Sequence, residues 1–102
     1  MAQFDLYKYN KPGSAVEYLL DIQSDLLCDM ESRVVIPLYK LKTGQNPIKT
    51  LQPLVELPTG LYFLSTSELA AVPGHNLGVK IGSFHQLREE VIAALDRLFT
   101  GV

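Results

Sequence analysis

The sequence has one cysteine, no tryptophan, two histidines and no long apolar run, and each shortage removes a class of function. With Cys28 alone, no intrachain disulfide can form, which agrees with a reducing, cytoplasmic setting. A metal site is disfavoured, because His75 and His85 stand ten residues apart with no partner at ligand spacing. No segment approaches the roughly 18 consecutive apolar residues of a membrane span. Residues 1–5 offer neither the basic start nor the long apolar stretch of a secretory signal, so none is expected. Excess positive charge is missing too. The formal net charge is −2, which removes the long-range pull on phosphate that nucleic-acid binders use. Five of the six lysines (Lys8, Lys11, Lys40, Lys42, Lys49) fall in the first half, where they read as solvated side chains on loops and sheet edges.

What is present is a globular composition. Apolar residues make up 47% of the 102 and charged residues 20%, the balance of one folded domain over residues 1–102. Apolar side chains recur with partial alternation through Gln3–Tyr9, and strand character resumes over Val16–Ile22 after the turn cluster Asn10–Ser14. Gln23–Ser32 is too polar for a central strand and reads as a connection carrying two adjacent leucines, Leu26 and Leu27. Arg33–Leu38 is crowded with β-branched residues and predicts a buried strand that ends or bulges at Pro37. Thr43–Pro47 is a loop. Thr50–Leu57 then alternates at the strand period, with Pro53 marking an edge or bulge, and Pro58-Thr59-Gly60 turns the chain into Leu61–Leu64. Ser67–Val72 predicts a helical turn ended by Pro73-Gly74, and a short strand is expected at 77–81.

The last segment predicts a helix. Ser83 is placed as an N-cap and Gln86 three residues on completes a capping box. Phe84, Leu87, Val91, Ile92, Leu95, Leu98 and Phe99 then mark one face at the 3.6-residue period. Arg97 suits the negative end of the helix dipole, and Gly101 suits a left-handed C′ position.

No catalytic constellation stands out. Asp21 and Asp25 share no face in a strand-to-loop context, and Glu89 and Glu90 point about 100° apart on a helix, as a solvated face. His85 reads as a solvated polar side chain in the helix's first turn and Cys28, beside Leu26 and Leu27, as a small buried hydrophobe. Gly74, Gly78 and Gly82 match no phosphate loop. These residues point to a small β-rich α+β domain that binds rather than catalyses.

Several segments, taken in order, resemble the CcdB toxin family: Gln3-Phe4-x-Leu6-Tyr7, Asp21–Leu27, Arg33–Leu38, Leu51–Val55, Thr66–Pro73 and the ending Phe99-x-Gly101-Val102. The resemblance implies an antiparallel sheet of the SH3-like CcdB–MazF barrel type, with a small subsidiary sheet and one C-terminal helix, assembled as a homodimer. It implies the toxin of a type II toxin–antitoxin system of the plasmid-maintenance kind. Such a toxin has no cofactor and no catalysis of its own. It traps the A subunit of DNA gyrase on cleaved DNA, blocking replication and transcription. A CcdA-like antitoxin neutralises it through a disordered C-terminal segment, and the pair represses its own operon, so operator DNA is met only through the antitoxin.

Carried over by position, the gyrase-facing residues are Gln3, Phe4, Tyr7, Ser24, Leu26, Leu27, Asp96, Phe99, Thr100, Gly101 and Val102. The best-known member has Trp where this chain has Thr100, and an amide where it has Asp96. Thr offers no π face, so this departure bears on poisoning strength rather than on fold. The alternatives are an endoribonuclease toxin of the MazF/Kid type and a non-toxic homologue that keeps only antitoxin binding.

Overall fold

Alternating apolar residues bring seven strands into one antiparallel sheet in the computed structural model, which describes residues 2–101. β1 (Asp5–Tyr9), β2 (Tyr18–Asp21) and β3 (Ser32–Lys40) form a meander. β4 (Leu54–Leu57) and β5 (Gly60–Leu64) form the second hairpin, β6 (Ala70–Pro73) pairs the first half of β3, and β7 (Leu77–Ser83) returns to β1. The strand order is β4-β5-β3-β2-β1-β7, with β6 attached to β3. The subsidiary strands are thus continuous with the main sheet through β3. The whole is a curled half-barrel carrying one helix, α1 (Arg88–Thr100).

The register sorts the core. Leu6, Leu20 and Ile36 stand opposite one another across three strands and share a face with Tyr18, Leu38, Tyr62 and Leu64. That face is covered by Leu87 and Val91, so the helix docks through its first two turns. The other face holds a smaller cluster of Tyr7, Leu19, Val35 and Leu77.

Pro37 lies inside β3 rather than at its end, buried and paired with Leu19. Its carbonyl accepts from Ser65 N–H at 2.9 Å, so its own nitrogen points to the same side, where β6 has finished at Val35 and β5 has not begun before Leu38. The missing donor falls in a gap where no acceptor needs it. The strand expected from Thr50 starts only at Leu54, because Leu51 and Gln52 turn their N–H groups back onto Ile48 O, and Pro53 stands directly before edge strand β4.

Three further expectations are corrected. Thr66–Glu68 forms a 3₁₀ turn, but Ala70–Pro73 is a strand, because pairing with Ser32–Val35 satisfies backbone groups that a single helical turn would leave open on both segments. Ser83 does not cap α1. It is the last residue of β7, opposite Asp5; a 3₁₀ turn at His85–Leu87 intervenes, and α1 starts at Arg88 without a side-chain cap. Cys28 is exposed, not buried.

Candidate functional site

The polar connection after β2 folds into a 3₁₀ turn, Asp25–Leu27, whose N-cap Ser24 accepts from Leu26 N–H through Oγ at 3.2 Å and from Leu27 N–H through its carbonyl at 2.9 Å. Gln3 closes the other side: its backbone N–H donates to Asp25 Oδ1 at 2.8 Å and its Nε2 to Ile22 O at 3.1 Å. Beneath the turn, buried Gln23 donates from Nε2 to Leu27 O at 2.8 Å and accepts from Val34 N–H through Oε1 at 3.0 Å. Ser24, Gln23 and Gln3 spend their polar groups on the turn's own backbone and on Asp25, while its two leucines face outward. Leu26 is 94% exposed and Leu27 49%. Met30, 52% exposed in the same loop, extends the apolar surface and was missed in the sequence, although a third large apolar residue in a polar connection was the available signal.

Phe4 and Tyr7 are buried, so neither presents a broad surface. Phe4 is instead the joint of this region. It has φ 67°, a left-handed conformation rare for a non-glycine residue. Its N–H donates to Asp21 O at 2.6 Å, its carbonyl accepts from Phe84 N–H at 2.7 Å, and its ring meets His85 edge-on at 5.8 Å. The segment before the helix is thereby pinned to the turn that holds Gln3 and leads into β1.

Tyr7 belongs to a polar cluster that sequence spacing did not reveal. Arg33 Nε donates to Asp21 Oδ2 at 2.8 Å, with Nη2 2.8 Å from the same oxygen, and both side chains are almost fully buried. Tyr7 Oη donates to Asp5 Oδ2 at 3.4 Å, and Lys80 Nζ reaches that oxygen at 3.4 Å from the surface. Burial, then the Asp5 and Asp21 carboxylates, push the Tyr7 phenol up to about 12. Burial also raises Asp21 above the ordinary carboxylate range, opposed by the Gln23 N–H and the Arg33 guanidinium. The carboxylates and the guanidinium of this cluster are buried, and Arg33 Nη1 lies there without a hydrogen-bond partner.

The second group of candidate residues sits at the far end of α1. Gly101 takes the left-handed C-cap expected of it, with φ 75° and its N–H on Arg97 O at 3.1 Å. Thr100 returns its hydroxyl to Asp96 O at 2.6 Å, so its polar capacity is directed into the helix. Arg97 Nε donates to Thr50 Oγ1 at 3.0 Å and ties the helix end to the long loop before β4. Asp96 is exposed, and Phe99, assigned to the core face by periodicity, is 70% exposed. Ile92, one heptad earlier, is also exposed. The apolar stripe of the helix is wider than the sheet face beneath it. Val102 lies outside the described residues.

One chain therefore holds two groups rather than one site. Gln3, Ser24, Leu26 and Leu27 gather on the side joined through Phe4 to Phe84, ahead of the helix, whereas Asp96, Phe99 and Thr100 belong to the last two turns of a helix of 13 residues, about 20 Å long, and Gly101 caps it. Among the described residues, no group of three or more His, Cys, Asp or Glu side chains is placed to hold a metal ion. No described helix is long and apolar enough to cross a membrane.

Comparison with known proteins agrees with this architecture. Two solved structures share the fold. An endoribonuclease in complex with its cognate antitoxin from a mycobacterial species is 12% identical, with a TM-score of 0.77 over 96% of this chain and 93% of that one. The Mycobacterium tuberculosis toxin MazF-mt6 is 14% identical, with a TM-score of 0.74 over 93% of this chain and 95% of that one. At such identities the likeness is one of fold. The family model of the CcdB protein, by contrast, matches residues 3–101, and the chain belongs to the CcdB family.

Proposed function

We propose that this protein is the toxin of a type II toxin–antitoxin module, a homodimer that binds the A subunit of DNA gyrase and holds it on cleaved DNA. The observation that carries the reading is Leu26, 94% exposed on a turn that Gln3, Ser24 and Gln23 hold by hydrogen bonds. A leucine so placed contributes almost nothing to its own fold, and its ordered presentation is what an interface needs. The exposed Phe99 at the helix end is the second apolar anchor.

A two-fold dimer supplies what one chain lacks. In an isologous pair each group occurs twice about the axis, so the tip of one protomer can approach the leucine turn of its partner, and two small patches become one broad one. Gln3, Ser24, Leu26, Leu27, Asp96, Phe99, Thr100, Gly101 and Val102 are then the contact residues, with Phe4 and Tyr7 supporting them from beneath. A CcdA-like antitoxin neutralises the toxin and with it represses the operon. Deleting Thr100–Val102 is expected to abolish growth arrest while leaving the dimer and antitoxin binding intact, and unchanged toxicity would refute the tip assignment.

A second reading, an endoribonuclease toxin, is favoured by the fold shared with the mycobacterial endoribonuclease. RNA cleavage needs an acid–base group and cations open to the scissile phosphate. Asp5 with Tyr7 and Asp21 with Arg33 form two buried pairs closed to solvent, which weighs against it.

A further inference from the structure

We infer that Gln23 is the positioning residue of the leucine turn, the group that fixes Leu26 and Leu27 in their outward geometry; the inference rests on the proposed use of that turn against gyrase A. Gln23 is 5% exposed and cannot act by touching a partner. Its side chain occupies the point where the β2–β3 ladder stops. Ile22 N–H still donates to Val34 O at 3.0 Å, but Ile22 O is turned to Gln3 Nε2. Val34 N–H would be left open, and Gln23 Oε1 takes it at 3.0 Å in place of the missing backbone carbonyl. The other end of the same amide donates to Leu27 O at 2.8 Å. One planar group thus links the turn directly to β3.

The start of that side chain is fixed as well. Gln23 N–H donates to Asp21 Oδ1 at 3.0 Å, while Asp21 Oδ2 is held by Arg33. Only an amide satisfies both ends of this position. An ionised carboxylate keeps the acceptor for Val34 but loses the donor to Leu27 O, and a thioether of similar shape loses both. Ordering a free turn on binding would cost about 1–2 kcal/mol per backbone residue, a penalty that the Gln23 link removes in advance.

The test uses Gln23→Met and Gln23→Glu in the full chain, the latter at pH 8. Order parameters of the Leu26, Leu27 and Cys28 amides, from NMR relaxation, are expected to fall from about 0.85 to below about 0.6, while Leu20 and Ile36 stay rigid. Affinity for purified gyrase A is expected to fall at least about tenfold. In the double variant with Leu26→Ala, the two losses should add to less than their sum, because Gln23 acts through the turn. Gln23→Glu keeps the Val34 bond and serves should Gln23→Met fail to fold. An unchanged turn, or strictly additive losses, would overturn the inference. If the turn loosens in a chain whose parent does not bind gyrase A, positioning by Gln23 stands and the gyrase reading falls.

Discussion

An isolated leucine that is 94% exposed loses little when the chain unfolds, so Leu26 separates stability from binding better than any other residue of the site. Leu26→Ala should change the unfolding free energy by less than about 0.5 kcal/mol, measured by urea titration. The same substitution should weaken binding to gyrase A at least about tenfold, the scale of an interface hot spot. Equal affinity in parent and variant would remove the turn from the interface. Tyr7 offers the opposite case, a group whose chemistry is locked inside the fold. Its phenol is held near 12 against an ordinary 10, so the unfolded chain releases this proton first as pH rises. The stability it contributes is intact below pH 10 and lost as pH climbs through about 12. Urea unfolding across that range should therefore decline more steeply for the parent than for Tyr7→Phe, whereas parallel curves would contradict the assignment.

At the scale of elements, α1 ends in a left-handed Gly101 around which a Cβ would meet nothing within 4 Å. Gly101→Ala thus carries a conformational penalty, about 1 kcal/mol, without a clash. We expect a stability loss no larger than that, together with weaker gyrase A binding and undiminished antitoxin binding; an unaltered gyrase affinity would show that the tip's geometry is irrelevant. Elements were legible in the sequence where side chains alone decide them. The β-branched run of β3, the flanking turns of β1 and β2, and the stripe around Leu87 and Val91 all form as their patterns indicate. They were illegible where a partner decides. Ala70-Ala71 has little strand propensity and becomes part of β6 because the first half of β3 offers a free edge, and Ser83 is drawn into β7 by Asp5 across the ladder. The cluster of Asp5, Tyr7, Asp21 and Arg33 is assembled by register, which sequence spacing does not show. The leucine turn was visible as an apolar pair in polar surroundings, but Gln23 was not, since its role depends on where a ladder happens to stop.

Across the whole molecule, the leucine turn is joined through Gln3 and Phe4 to the segment before α1, whereas the tip closes the far end of that helix, about 20 Å on. The account therefore requires a dimer. Sedimentation should give twice the 11.4 kDa chain mass, and a net charge of only −2 per chain offers little resistance to that association. A monomer at every concentration would leave the two groups as unrelated surfaces. Purified components distinguish a gyrase poison from a nuclease in this CcdB-family chain. The protein is incubated with gyrase and supercoiled plasmid, and in parallel with total RNA, and both are resolved after detergent and protease treatment. The account predicts linear DNA that depends on gyrase and carries gyrase A covalently at its ends, with RNA intact. Cleaved RNA with undamaged plasmid would contradict it.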